Sequence, residues 1–318
     1  MSRRSRLQPD LTKFFEFQYG IARRDQIVGI SVTDNYLRWR LETGQWQVIL
    51  PSTYALFRGD LTVEQRASAG LLYGGPQSQL TGAVALRFWG MRYAPLDERV
   101  MILLPTVKRV SSHPQFRMVR TDRLAEPAVM GGLRVAPVAR AVADAARERI
   151  DLRTARAIVT EAVQRGLVTG DQLSAELLTG PRRGSKDLRR AVSDVAGGAR
   201  SGPEAELRDL CRASDVLPEI MWNPALAGPD GAALPTPDGW LEDVGLALEV
   251  DSREFHESPE LWARTLHRHN QLTAVGVVVL HITPREIRRD PGAVLALIEK
   301  TYIDLLRVGR RHRVTRTR

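Results

Sequence analysis

The stretch Leu246-Ala247-Leu248-Glu249-Val250-Asp251 decides the reading of the chain. It is rich in Leu and Val and holds no turn residue, which predicts a buried strand. Alternation sends Leu246, Leu248 and Val250 to one face and Ala247, Glu249 and Asp251 to the other. Two carboxylates on one face of a buried strand are costly unless something pairs with them. A hard divalent cation suits such a pair, because it takes oxygen ligands. Asp238 lies eleven positions before Glu249. A turn near Glu242 to Gly245 would fold Asp238 back beside the acidic strand, so that three carboxylates converge.

Pro237-Asp238 followed by Glu249-Val250-Asp251 resembles the PD-(D/E)xK nucleases. That resemblance implies a restriction-endonuclease-like fold and metal-dependent phosphodiester hydrolysis. The usual Lys position holds Asp251. The Glu249, Asp251, Ser252 and His256 pattern resembles the subgroup related to very-short-patch repair endonucleases, with Ser252 in place of the usual Gly. Ser201-Gly202-Pro203-Glu204 is similar to the Ser-x-x-Glu helix opening of that subgroup, where the Glu helps to hold the metal. The resemblance therefore implies Asp238, Glu249 and Glu204 as metal ligands, with Glu206 a nearby competitor for the helix position. It implies Asp238, Glu249, Asp251 and His256 as the catalytic set, His256 serving as acid or base. The cofactor expected is Mg2+ or Mn2+. Arg264 and Arg268, on the helix after the acidic strand, match the subgroup's basic helix and are candidates for phosphate contact.

The flanking segments agree with this order. A helix over Glu204 to Ala213, strands at Glu219 to Asn223, Thr236 to Leu241 and Gly245 to Asp251, a helix over Pro259 to Ala274, a strand at Val277 to Ile282 and a last helix at Ala293 to Leu306 are expected. The Gly- and Ala-rich stretch 196–203 marks a boundary. The organisation expected is 1–60, 61–197, 200–306 and a basic tail at 307–318, read as disordered. The fold class is α/β and multi-domain: an N-terminal winged helix-turn-helix, an α/β middle region and a C-terminal mixed sheet flanked by helices.

For the first 60 residues, helices near Leu11 to Gln18, Arg24 to Val28 and Asp34 to Glu42 precede two strands, Gln45 to Leu50 and Thr53 to Phe57. Three short helices and a two-stranded wing predict a winged helix-turn-helix, its third helix carrying Arg38 and Arg40 toward DNA. Tyr19 to Gln26, Gly44-Gln45-Trp46 and Tyr54-Ala55-Leu56 also resemble the N-terminal domain of AbiEi-type antitoxins, which implies promoter binding. The chain has 318 residues, a net charge of +9, 43% hydrophobic and 26% charged residues. A basic balance of this kind points to a polyanion such as DNA. A single cysteine, Cys211, excludes an intrachain disulfide and a Cys-based zinc site. No apolar run is long enough to span a membrane, and a cytoplasmic protein is expected.

Two functions follow. One is a metal-dependent DNA endonuclease. The other is a non-enzymatic, AbiEi-like antitoxin or regulator, in which an inactive nuclease fold serves binding or homodimerisation and a cognate toxin is the protein partner. A third reading, in which the acids merely pair with Arg253 or Arg264, gives no function.

Overall fold

The computed structural model describes residues 11–96, 99–148, 150–251, 259–309 and 312–316. The chain divides into two compact units, Met1–Val192 and Ser193–Arg318. It is an α/β protein built on several small sheets. No described helix is long and apolar enough to cross a membrane.

The first unit opens with helices Leu11–Phe14, Arg24–Gly29 and Asp34–Glu42. Thr33 starts the last of these, its hydroxyl accepting from the Tyr36 N–H at 3.2 Å. Strands Gln47–Leu50 and Thr53–Ala55 form an antiparallel hairpin. A third strand, Ile21–Arg23, falls between the first two helices and pairs with Thr53–Ala55. The sequence predicts no strand there, because three residues are too few for alternation to register. Phe15, Ala22, Ile27, Leu37, Trp46 and Leu56 pack as one small core.

Beyond it lies a five-stranded mixed sheet, ordered Phe116–Thr121, Val100–Pro105, Gln79–Thr81, Leu133–Val135, Ala128–Met130. Helices Val63–Gly74, Gly82–Phe88, Val138–Ala146, Leu152–Gln164 and Gly170–Thr179 accompany it. Buried ion pairs brace this part of the unit. Asp144 receives Arg140 at 2.7 Å, Arg147 at 3.1 Å and the Thr81 hydroxyl at 2.9 Å, and Arg123 reaches Glu176 at 3.0 Å.

The second unit is built on a four-stranded sheet in the order Val278–Ile282, Leu246–Val250, Gly239–Leu241, Met221–Trp222. Leu246–Val250 runs parallel to Val278–Ile282 and antiparallel to Gly239–Leu241. The Glu242 to Gly245 turn closes the hairpin as the sequence requires, with Leu241 opposite Leu246. Gly245 sits at φ +64, and a Cβ there would meet the His312 ring within 2.9 Å, so only glycine fits. Alternation then sorts the faces. Leu246, Leu248, Leu241 and Ile282 pack with Leu207 and Cys211 of helix Gly202–Cys211 and with Ile298 and Tyr302 of helix Pro291–Val308. Trp240, Ala247 and Val277 pack on the other face with Leu272 of helix Pro259–Ala274.

The basic tail departs from expectation. Residues 312–316 are ordered rather than loose. Thr315–Arg316 pairs with Leu226–Ala227 in a separate three-stranded sheet that also includes Ala233–Leu234. Val314 is buried against the Trp240 cluster, and the His312 ring meets Trp240 edge-on at 5.2 Å. One apolar residue and one aromatic contact outweigh the composition of the segment. Deleting residues 312–318 is expected to destabilise the second unit by about 2 kcal/mol, the scale of one buried valine. Urea unfolding monitored by tryptophan fluorescence checks this, and an unchanged midpoint would refute it.

Candidate active site

Strand register builds the site. Gly239 stands opposite Leu248 and also opposite Trp222. Continued one residue toward the strand end, Asp238 stands beside both Glu249 and Asn223, and the Asn223 N–H donates to the Asp238 carbonyl at 3.0 Å. Glu249 in turn pairs with His281 on the parallel strand. Asn223, Asp238, Glu249 and His281 therefore form one polar row across the whole sheet. The row two residues on, on the same face, is Met221, Trp240, Ala247 and Val279, which is apolar. Neighbours in such a row have Cβ atoms about 5 Å apart, so the two carboxylates act on each other directly.

Asp238 is fixed by its own neighbour strand: its Oδ2 accepts the Val250 N–H at 2.7 Å. Burial pushes its carboxyl up to about 6, the Val250 N–H works the other way, and the charge of Glu204 adds to the rise. Burial pushes Glu249 up to about 7, helped first by Asp238 and then by Asp251 and Glu204, with Arg268 opposing. The Arg268 guanidinium lies 3.7 Å from Glu249 and donates to the Thr236 carbonyl at 3.2 Å. At Glu249, the half-exposed Arg268 opposes the rise without cancelling it.

The remaining acids are placed differently. Asp251 extends past the strand, where its Oδ2 lies 3.4 Å from His281 Nδ1. His281 Nε2 is 3.0 Å from His269 Nδ1, and the two rings stack at 5.3 Å. Glu204, 6% exposed, sits in the first turn of its helix, which Ser201 caps through the Glu204 N–H. Its Oε2 accepts from the Arg200 N–H at 2.8 Å and the Asn223 amide at 3.2 Å. Glu206, the competitor, is paired with Arg288 at 2.9 Å. Among the described residues, no group of three or more His, Cys, Asp or Glu is placed to hold a metal ion. The row supplies two carboxylates, a donor set that fits one hard cation, with neighbouring acids raising the attraction.

His256 lies outside the described residues, as do Ser252 and Arg253. Arg264 falls on the helix Pro259–Ala274, but its side chain is also outside them. In the first unit Arg38 is exposed on its helix. Arg40 is held in place: its Nε donates to the Tyr36 hydroxyl at 2.8 Å, its Nη1 bonds Gln45, and its guanidinium faces the Tyr36, Trp39 and Trp46 rings. Cys211 is buried, its thiol pushed up to about 12 by desolvation, and it is inert.

The sequence patterns do not mark Asn223, His269 or His281 as site residues. Pairing of the His281 strand with Leu246–Val250 would reveal it, but parallel register leaves no trace in the sequence. Arg208 is equally unmarked. It is 4% exposed, stacks over Trp222 at 4.9 Å and donates to the Gly197 carbonyl at 2.7 Å, a buried cation beside Glu204.

No family model matches the chain. It is 27% identical over 263 residues to the uncharacterized proteins MT2308 and Rv2248 of two Mycobacterium tuberculosis strains, CDC 1551 and H37Rv. Each match covers 80% of this chain and 86% of the relative. Among solved structures, the RV2827C protein of Mycobacterium tuberculosis aligns with a TM-score of 0.41 at 16% identity, covering 67% of this chain and 87% of that one.

The raised carboxyls give the metal-free protein a signature. Between about pH 4 and pH 7 the folded chain retains protons that the unfolded chain has released, so stability falls as pH rises through that window. Glu249→Gln removes the larger part. It is expected to stabilise the metal-free protein by about 2 kcal/mol near pH 8 and by almost nothing near pH 4. Urea titrations with chelator present at both pH values measure the difference. An equal effect at the two pH values would contradict it.

Proposed function

We propose that this chain is a DNA-binding protein whose second unit is a metal-dependent DNA phosphodiesterase of the very-short-patch-repair-like type. The observation that carries the reading is the pairing of Asp238 and Glu249 on adjacent strands, both carboxyls raised by burial and by neighbouring acids. Acids held in this state exchange protons for a cation readily, because the ion supplies the positive charge that burial and the neighbouring acids leave unmet. Helix, three-stranded antiparallel part, helix and a parallel fourth strand are also the order that the restriction-endonuclease-like fold requires.

Asp238 and Glu249 would hold Mg2+ or Mn2+. Bound there, the ion supplies a Lewis acid for the phosphate and acidifies a water. The protein's own residues set up the rest. The Val250 N–H keeps Asp238 aimed at the row. Arg268, half exposed, offers a guanidinium to a phosphate oxygen beside Glu249. Asp251, His281 and His269 form a chain of groups able to accept and pass a proton at the edge of the site. His256 remains a candidate acid or base on the sequence pattern alone.

In the first unit, the strand Ile21–Arg23 closing on the Gln47–Ala55 hairpin, with Asp34–Glu42 as third helix, supports a winged helix-turn-helix. DNA is the partner that the +9 charge and exposed Arg38 favour. Two observations favour the second reading, a regulator with an inactive nuclease fold that pairs with itself or a cognate toxin. Arg268 already lies beside Glu249, and the position of the usual Lys is taken by Asp251.

Supercoiled-plasmid cleavage with Mn2+ or Mg2+ separates the two. Wild type is expected to nick, and Glu249→Gln to lose at least about a hundredfold of that rate, as for removal of a principal electrostatic group. Metal-independent cleavage, or equal cleavage by both proteins, would refute the enzyme. For the first unit, Arg38→Ala is expected to weaken DNA binding and flatten its salt dependence without changing stability. Arg40→Ala is expected to lower stability instead, because it empties the Tyr36–Trp46 cradle. Fluorescence anisotropy over a salt series, with thermal melts alongside, tests both.

A further inference from the structure

Asn223 carries an observation that the two-carboxylate site leaves unused. Its Nδ2 donates to the Gly198 carbonyl at 3.0 Å and to Glu204 Oε2 at 3.2 Å. Both partners are acceptors, so only the amide nitrogen can face them, and this fixes which way the side chain is turned. Its Oδ1 is then directed away from them. That oxygen is buried and has no hydrogen-bond partner. Buried acceptors are nearly always paired, and an orphaned one calls for an explanation.

Its place in the sheet supplies one. Asn223 stands opposite Asp238, which stands opposite Glu249, and the Asn223 N–H is bonded to the Asp238 carbonyl. The residue holds a left-handed backbone conformation, φ +52, which Asn tolerates better than most side chains. The backbone of Asn223 therefore continues the row that holds the two acids, and the residue carries an unpaired, buried amide oxygen next to Asp238 in the sheet. Carboxylate and amide oxygens are both ligands for hard divalent cations.

We infer that the Asn223 amide oxygen is a third protein ligand, completing with Asp238 and Glu249 an oxygen site for Mg2+ or Mn2+. The inference rests on the metal-site reading above. Glu204 then acts one step further out. Its carboxylate anchors the Asn223 nitrogen and so orients the ligand oxygen, as outer-sphere carboxylates commonly do.

Asp substitution tests this sharply, because ligand and structural roles predict opposite results. Asn223→Asp keeps an oxygen at the ligand position but loses the donor facing Gly198 and Glu204. Mn2+ binding to the full-length protein is measured by isothermal titration calorimetry without DNA, with thermal melts in chelator. Wild type is expected to bind one Mn2+ and Glu249→Gln to bind none. Asn223→Ala is expected to bind at least about tenfold more weakly, the least that losing a group in or around a metal site costs. Asn223→Asp is expected to melt lower without metal and yet bind Mn2+ as tightly as wild type or tighter. If Asn223→Asp binds as weakly as Asn223→Ala, the residue only positions Glu204 and the inference fails. If Asn223→Ala binds like wild type, it also fails. If wild type binds no Mn2+, the metal-site reading itself falls and takes the inference with it.

Discussion

Two carboxylates, Asp238 and Glu249, stand side by side on neighbouring strands where water is partly excluded. That juxtaposition is the constraint on which the second unit depends. Like charges in a half-buried row repel, and the nearby Arg268 and Arg200 oppose the rise of the pair without cancelling it. The sheet tolerates them because its other residues bind it so firmly. The next row on that face is Met221, Trp240, Ala247 and Val279, and the opposite face is closed by Leu246, Leu248 and Ile282. Apolar burial holds the strands in register, and register holds the acids together. The structure stores an unfavourable electrostatic contact at one point and offsets it by packing elsewhere, as functional sites commonly do.

The local chemistry around the pair has a consistent direction. Val250, Arg200 and Asn223 each direct a hydrogen-bond donor at one of the acids or at the neighbouring Glu204. Arg208 lies buried beside Glu204, and Arg268 stands half exposed by Glu249. Donors that are fixed by backbone or packing orient the acids without neutralising the central pair. Arg268 is the less buried of the two arginines.

Much of this is legible in the sequence, for physical reasons. The period-two pattern from Leu246 to Asp251 sorts apolar and acidic residues onto the two faces that they occupy. The short turn before Gly245 forces an antiparallel return that brings Asp238 to Glu249. Helix signals at Ser201 and Pro203 locate the helix carrying Glu204 and Glu206, and only their contacts in the structure tell the two apart. What fails to show is non-local or too short. Parallel pairing places His281 beside Glu249, and Asn223 enters the row from the end of a two-residue strand. The tail hides its ordering behind arginines, since one buried Val314 decides it. In the first unit, Arg40 reads from the sequence as a DNA-facing residue of the third helix, and the contacts that Tyr36, Gln45 and Trp46 make with it do not show there.

On the metal-site proposal, the field that Asp238 and Glu249 share is relieved by protons without metal and by a cation once one binds. Carbon-13 NMR titration of the side-chain carboxyls, with Glu249→Gln to assign the signals, measures this directly. In chelator the pair should titrate with apparent values of about 6 and about 7. In saturating Mg2+ both should fall below the usual carboxylate range of about 4. Ordinary values without metal, or raised values that Mg2+ leaves unmoved, would contradict that shared field.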